Sequence, residues 1–219
     1  MAVAPGSTWA FLVPLGPASG ADHPLRVRDS GDSVNNGSVP RHIFQLRVAL
    51  DGITPEVWRR VLVPGGYTLD RVHRVIQHTM GWWDYHLHSF DIGGVQYGEP
   101  DPDGEPDLLD ELDTRLDAVV RVGDRFRYTY DYGDWWEHLV DVEAVWPVDP
   151  DERYPVCLEG ERACPPEDVG GVYGYRQLVQ ALGDPEHPEH DELRAWLGRG
   201  LTAEIFVPEL VTTLLRRMA

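Results

Sequence analysis

Apolar and polar residues alternate with a period of two along several stretches of the chain. From His42 to Gly52 (HIFQLRVALDG), Phe44, Leu46, Val48 and Leu50 share one face, and Ile43, Gln45, Arg47 and Ala49 the other. That spacing predicts a half-buried strand closing at an Asp51-Gly52 turn. Glu56 to Pro64 predicts the returning strand, with Val57, Arg59, Val61 and Val63 on one face and Trp58, Arg60 and Leu62 on the other. Trp82 to Gly94 predicts a strand with His86, His88, Phe90 and Ile92 on one face and Tyr85, Leu87, Ser89 and Asp91 opposite. Arg115 to Val122 predicts a further short strand. The strongest alternation surrounds YTYDYGDWWEH, Tyr128 to His138. Phe126, Tyr128, Tyr130 and Tyr132 lie on one face, Gly133-Asp134 breaks the pattern as a turn does, and Trp136, His138, Val140 and Val142 resume one face out to about Val148.

The period changes to that of a helix after Thr68, a good N-cap, with Asp70 in the first turn and Gly81 as the stop. Leu69, Val72, Ile76 and Met80 form its apolar stripe, with His73 beside them as a satisfied core histidine. Helical spacing returns in Tyr175 to Leu182, His187 to Gly198, and after Pro208. Strands followed by helices predict an α+β fold: an antiparallel sheet of about five to six strands, covered by one internal helix and the C-terminal helices.

Residues 1–40 read as a flexible N-terminal appendage, and 41–219 as a single α+β domain. Asp29 to Ser38 (DSGDSVNNGS) lacks an apolar anchor, although Thr8 to Gly16 has the makings of an extra strand. Gly98 to Asp113 is acidic and turn-rich, predicting a solvated loop or lid pinned by Leu108, Leu109 and Leu112; its Asp spacing is not that of an EF-hand. Tyr154 to Tyr175 predicts an irregular segment holding Cys157 and Cys164.

Composition narrows the chemistry. The formal charge is −18, from 37 acidic against 19 basic residues, which opposes binding to nucleic acid or an anionic membrane and favours cationic or neutral partners. The basic residues are all arginine, so Schiff-base chemistry and a phosphate-cradling P-loop lysine are excluded. Two cysteines, with no signal peptide or long apolar run, predict a cytoplasmic protein. Ser89 is the only serine in the predicted domain and no G-x-S-x-G elbow is present, which argues against a serine hydrolase.

The turn between the aromatic strands gathers Asp131, Asp134, Glu137 and His138 beside several aromatic rings. Two readings of different class follow. One is a binding module for a small molecule, a cation or a peptide, with an aromatic-walled pocket. Its ligand-binding residues would be Trp82, Tyr85, Tyr130, Tyr132, Trp136, Glu137, Glu159, Glu167 and Asp168. The other is a metal-dependent or acid–base enzyme for hydrolysis or a cyclisation-type proton transfer, with Asp131, Asp134 and His138 as catalytic groups. His86 and His88, two apart on a strand, project in parallel and are candidate ligands for a divalent metal such as Zn, Mn or Fe. A Cys157 or Cys164 thiolate with a histidine partner is a further candidate. A simple turn, whose carboxylates cap backbone N–H groups, explains the same residues without chemistry.

The segments FQLRVALDGITPEVWRRVLVP, MGWWDYHLHSFDIGG, YTYDYGDWWEH and YPVCLEGERACPPEDVGGVYGY, in that order, resemble those of the Ri-plasmid open-reading-frame-three-like family, also described as transposon-passenger TnpR-like proteins. The resemblance runs from about Phe44 to Leu215. It implies a roll-like α+β fold and an association with plasmids and insertion elements, and it implies no established activity. Family members often carry a further cysteine just after the CPPED stretch, where this chain has Val169; that weakens a cysteine-based metal site and leaves the carboxylates and histidines untouched.

Overall fold

The structure is a computed structural model that describes residues 42–100, 108–198 and 203–217. The predicted appendage, its boundary at Arg41 and the centre of the acidic loop, 101–107, lie outside the described residues.

In chain order the elements are β1 (His42–Leu50), β2 (Trp58–Pro64), α1 (Leu69–Met80), β3 (His88–Ile92), β4 (Val95–Gly98), β5 (Leu109–Asp110), α2 (Leu116–Val119), β6 (Arg125–Tyr130), β7 (Trp136–Pro147), β8 (Val156–Glu161), α3 (Gly171–Gly183), α4 (His190–Leu197) and α5 (Pro208–Leu215). Among the described residues the strands form one eight-stranded sheet, in the order β5-β4-β3-β6-β7-β1-β2-β8. All neighbours are antiparallel except β4 and β5. The fold is α+β, as the alternation predicts, with more strands than expected because β4, β5 and β8 extend the sheet at its edges.

The core lies where the inward faces of the central strands meet α1. Leu46, Val48 and Leu50 of β1, Val61 and Val63 of β2, Phe126, Tyr128 and Tyr130 of β6, and Trp136, Val140 and Val142 of β7 are all buried, as are Leu69, Val72, Ile76 and Met80 of α1. Each such side chain contributes roughly 1.5–3 kcal/mol by leaving water. Helix α1 starts at Thr68, in extended conformation, and its Oγ1 donates to Asp70 instead of capping the backbone. It stops at Gly81, whose φ of 88° lets its N–H reach Gln77 O at 2.8 Å.

Four expectations need correction. The third predicted strand starts at His88 and not at Trp82. Asp84, at φ 61°, breaks the extended path, and residues 82–87 are tied crosswise, with Tyr85 N–H donating to Tyr130 Oη at 3.0 Å. Arg115 to Val122 forms the helical turn α2: Leu116 and Val120 are both buried four residues apart, and Val120 N–H bonds Leu116 O at 3.1 Å. Leu109 and Leu112 are exposed, and the residue pinning that segment is the buried Glu111 between them. The irregular segment contains an ordered strand, β8, which pairs with β2, and it ends inside α3.

Two sets of polar contacts secure this half of the sheet. Arg59 is fully buried in β2. Its guanidinium donates to Thr79 O at 3.1 Å, Trp58 O at 2.8 Å and Glu161 O at 2.9 Å, and it lies over the Phe206 ring. On the outer edge of β8, the Thr212 hydroxyl of α5 accepts Cys157 N–H at 3.0 Å and donates to Cys157 O at 3.1 Å.

Candidate functional site

The β6–β7 turn is built by Asp131. At φ 58° it takes a left-handed conformation that Asp tolerates better than most residues. Its Oδ1 accepts the N–H groups of Gly133 at 2.8 Å and Asp134 at 3.3 Å, and its own N–H bonds Leu87 O at 2.9 Å. Those bonds leave Oδ2 to face His86 Nε2 at 3.6 Å. Asp134 does a different job. Its Oδ2 accepts Gly170 N–H at 3.0 Å, which fastens the turn to the loop before α3. The approach is close enough that a Cβ on Gly171, itself at φ 65°, would stand 2.3 Å from Asp134 O. The clasp carries Glu167 and Asp168 to the turn. Asp168, at φ 59°, places Oδ1 3.2 Å from His86 Nε2.

His86, Asp131 and Asp168 thus offer three ligand atoms within 4.8 Å of one another. His86 Nε2 is enclosed, yet it makes no hydrogen bond, although both carboxylates are beside it. The Asp168 side chain is 72 % exposed, so the cluster opens to solvent on that side. Behind it, Tyr130 Oη donates to Glu167 Oε1 at 2.6 Å, and Glu167 Oε2 accepts Trp83 N–H at 3.0 Å. Burial pushes both the Tyr130 phenol and the Glu167 carboxyl upward, so Tyr130 remains a donor at neutral pH.

The two strand histidines do not share a site. His88 turns to a second cluster, where its ring stacks on His73 at 3.4 Å with 5° between the planes and its Nε2 meets Glu111 Oε2 at 2.8 Å. His73 is held at Nδ1 by Tyr128 Oη at 2.7 Å and at Nε2 by Asp84 Oδ1 at 2.8 Å, and Gln77 Nε2 donates to the same hydroxyl at 2.8 Å. Burial lowers the His73 pKa, with the His88 ring adding to the effect and Asp84 opposing it. The partners Asp84 and Glu111 were not singled out from the sequence; one sits in an apparent strand and the other in a run of similar acids. The usable signal was His73 in the apolar stripe of a helix, facing a strand whose inward side carries His88.

The remaining sequence-derived site residues are dispersed. His138 is wholly buried, with Nδ1 against Trp136 O at 3.1 Å and Tyr128 O at 3.3 Å, and burial lowers its pKa to about 4. Trp82 and Trp136 are buried too; Trp82 stacks on Tyr130 at 5.1 Å and donates Nε1–H to Pro165 O at 2.9 Å. Tyr85 and Tyr132 stand in solvent, with Tyr132 tilted on Trp135 at 5.6 Å. The rings expected to wall one pocket are therefore split between core and surface. Glu137 pairs with Arg127 at 3.1 Å, and Glu159 pairs with Arg60 on β2. Burial pushes the Cys157 and Cys164 thiols up to about 12, so both are protonated thiols near neutrality and poor nucleophiles. A cleft of about 280 Å³, lined by Pro55, Gly160, Glu161, Arg162, Glu204 and Phe206, contains none of the candidate residues.

Comparison with known proteins gives a consistent picture. The family model for plasmid pRiA4b ORF-3-like protein matches residues 42–212. The uncharacterized protein y4hQ of Sinorhizobium fredii (strain NBRC 101917 / NGR234) is 41 % identical over 158 residues, covering 71 % of this chain and 81 % of that protein. The crystal structure of MM3350 from Methanosarcina mazei Go1, a protein of unknown function, superposes with a TM-score of 0.73 at 35 % identity, covering 78 % of this chain and 98 % of that one. Among the described residues, no helix is long and apolar enough to cross a membrane.

Proposed function

The chain belongs to the plasmid pRiA4b ORF-3-like family, and from that premise we propose that it is a binding module for a small cationic ligand, a divalent metal ion or an organic ammonium or guanidinium group. His86, Asp131 and Asp168 are the binding residues. The observation that carries this reading is the His86 Nε2 atom, enclosed beside two carboxylates and hydrogen-bonded to neither. A cation lodged between the three would satisfy the nitrogen and both oxygens at once. The charge of −18 draws cations toward the surface. Glu167, held by Tyr130 and Trp83, supports the position of Asp168. The acid–base reading has less support, because the His138 ring is sealed in the core and Asp134 is engaged by Gly170.

Thermal melts with Mn²⁺, Zn²⁺, choline and guanidinium test this reading and separate the ion from the organic cation. Bound ligand at about one hundred times its Kd stabilises by about 2.7 kcal/mol. The rise in Tm is expected to be larger in the parent protein than in Asp168→Ala, whose exposed side chain has no part in the core. A melting temperature unmoved by all four, or moved equally in Asp168→Ala, would overturn the assignment.

A further inference from the structure

Residues 85–87, just before β3, and the β6–β7 turn, 131–135, are held together by the backbone bond from Asp131 N–H to Leu87 O at 2.9 Å, and Tyr85 N–H is tied to Tyr130 Oη at 3.0 Å beside the turn. Both segments present apolar side chains to solvent. Tyr85, Leu87, Tyr132 and Trp135 are 46–72 % exposed, and the Tyr132 and Trp135 rings lie against each other with centroids 5.6 Å apart. Trp135 has φ 56°, a left-handed conformation that is costly for a bulky residue and that clusters at functional sites. Together the four side chains leave roughly 500 Å² of largely apolar surface in water, as much as the largest patch on a typical monomer, and such patches mark interaction sites. Tyrosine and tryptophan are also enriched among the residues that carry most of the energy of protein–protein binding.

Charge decides what covers this surface. Residues 85–87 and 131–135 include Asp131 and Asp134 and no arginine, and the loop fastened to the turn through Gly170 adds Glu167 and Asp168. A second copy of the chain, itself at −18, would set the same acids against each other, and roughly 500 Å² falls short of the about 800 Å² per partner of a standard stable interface. A short basic segment of another protein matches both the charge and the area. His86 lies between Tyr85 and Leu87, and Asp131 opens the turn, so the cation cluster and the apolar side chains belong to the same two segments. We propose that this surface docks a basic segment of another protein, whose apolar residues cover Tyr85, Leu87, Tyr132 and Trp135 and whose arginine or lysine head group is the cation held by His86, Asp131 and Asp168. The inference rests on the cationic reading of that cluster and names the source of the cation.

The test presents the full chain to a random-peptide phage library. Selection is expected to enrich peptides with arginine or lysine beside aromatic or aliphatic residues, and their binding should weaken as salt rises. Labelled copies of these peptides should lose affinity about tenfold or more in Asp168→Ala, in Tyr85→Ser/Leu87→Ser and in Trp135→Asn, whose asparagine tolerates the left-handed backbone. The two surface variants alter different segments, so either alone decides the point, and both should keep the parent's thermal shift with Mn²⁺ and guanidinium. Loss of that shift together with peptide affinity in both surface variants overturns the separate role of the apolar surface. Small cations that bind while no basic peptide is enriched overturn this inference alone; no response to either overturns the cluster reading with it. Peptide affinity indifferent to the surface variants or to Asp168→Ala also overturns it. So does self-association of the parent that disappears in Tyr85→Ser/Leu87→Ser, which would assign the surface to a second copy.

Discussion

Replacing Tyr130 with Phe removes one oxygen that three segments share. The hydroxyl donates to Glu167 Oε1 at 2.6 Å and accepts Tyr85 N–H at 3.0 Å. The ring stays in the core, so its packing on Trp82 at 5.1 Å is preserved. A hydrogen bond to a charged group contributes about 1.5–3 kcal/mol and a neutral one about 0.5–1.5 kcal/mol. Glu167 retains the Trp83 N–H at 3.0 Å, which limits its loss. The expected destabilisation is therefore about 2–4 kcal/mol. With a urea m-value of about 2 kcal/mol/M, the unfolding midpoint falls by about 1–2 M. A double-mutant cycle with Glu167→Gln should show a coupling of about 1–2 kcal/mol, since the two residues share a bond. Because Glu167 precedes Asp168, ligand affinity at the His86 cluster should fall with it. A Tyr130→Phe protein within about 0.5 kcal/mol of the parent, or strictly additive behaviour in the cycle, would refute the claim that this hydroxyl joins β6 to the two loops.

Other consequences can be checked separately. The depressed pKa of His138, about 4, means that the unfolded chain takes up the proton first; its stabilising contribution is complete above the ordinary value near 6.5 and is lost as pH falls through 4. By pH 5 the loss is roughly 2 kcal/mol, read as the difference in stability between the parent and His138→Gln, in which the opposite contribution of the raised Glu167 carboxyl, common to both, cancels; equal pH profiles for the two would exclude it. Gly171→Ala puts a methyl 2.3 Å from Asp134 O at φ 65°, so the clasp should open at a cost of more than about 2 kcal/mol, with loss of ligand binding; parent-like melts would show the contact to be dispensable. Cys157 and Cys164, both raised to about 12, should resist iodoacetamide at pH 8 until the chain unfolds, and labelling of the native protein at the rate of a free thiol would count against their burial.

Much of the scaffold was legible because alternation and burial coincide in β1, β2, β6 and β7, and because Gly81 ends α1 as its lack of a Cβ allows. The candidate site was legible only in part. Asp131, His86 and Asp168, drawn from three separate sets of candidates, come together through a loop-to-turn clasp made by Gly170 and Gly171 that no local pattern encodes. His86 and His88 look like neighbours on one strand face, yet β3 begins only at His88 and leaves His86 in the irregular stretch before it. Arg59 fits the inward face of β2 by spacing alone, but three backbone carbonyls from separate segments make its burial tolerable, and these are visible only in three dimensions. Glu111 hides among acids of the same composition, distinguished only by the imidazole it meets.

An open strand invites a neighbouring chain to zip onto it, and β8 is such a margin. There Thr212 satisfies both the donor and the acceptor of Cys157 with one hydroxyl, so a foreign backbone finds no vacancy at that rung. The last helix therefore acts as a hem on the fabric of the sheet: trimming α5 away would expose raw β8 thread and should increase the tendency of the chain to stick to its own copies.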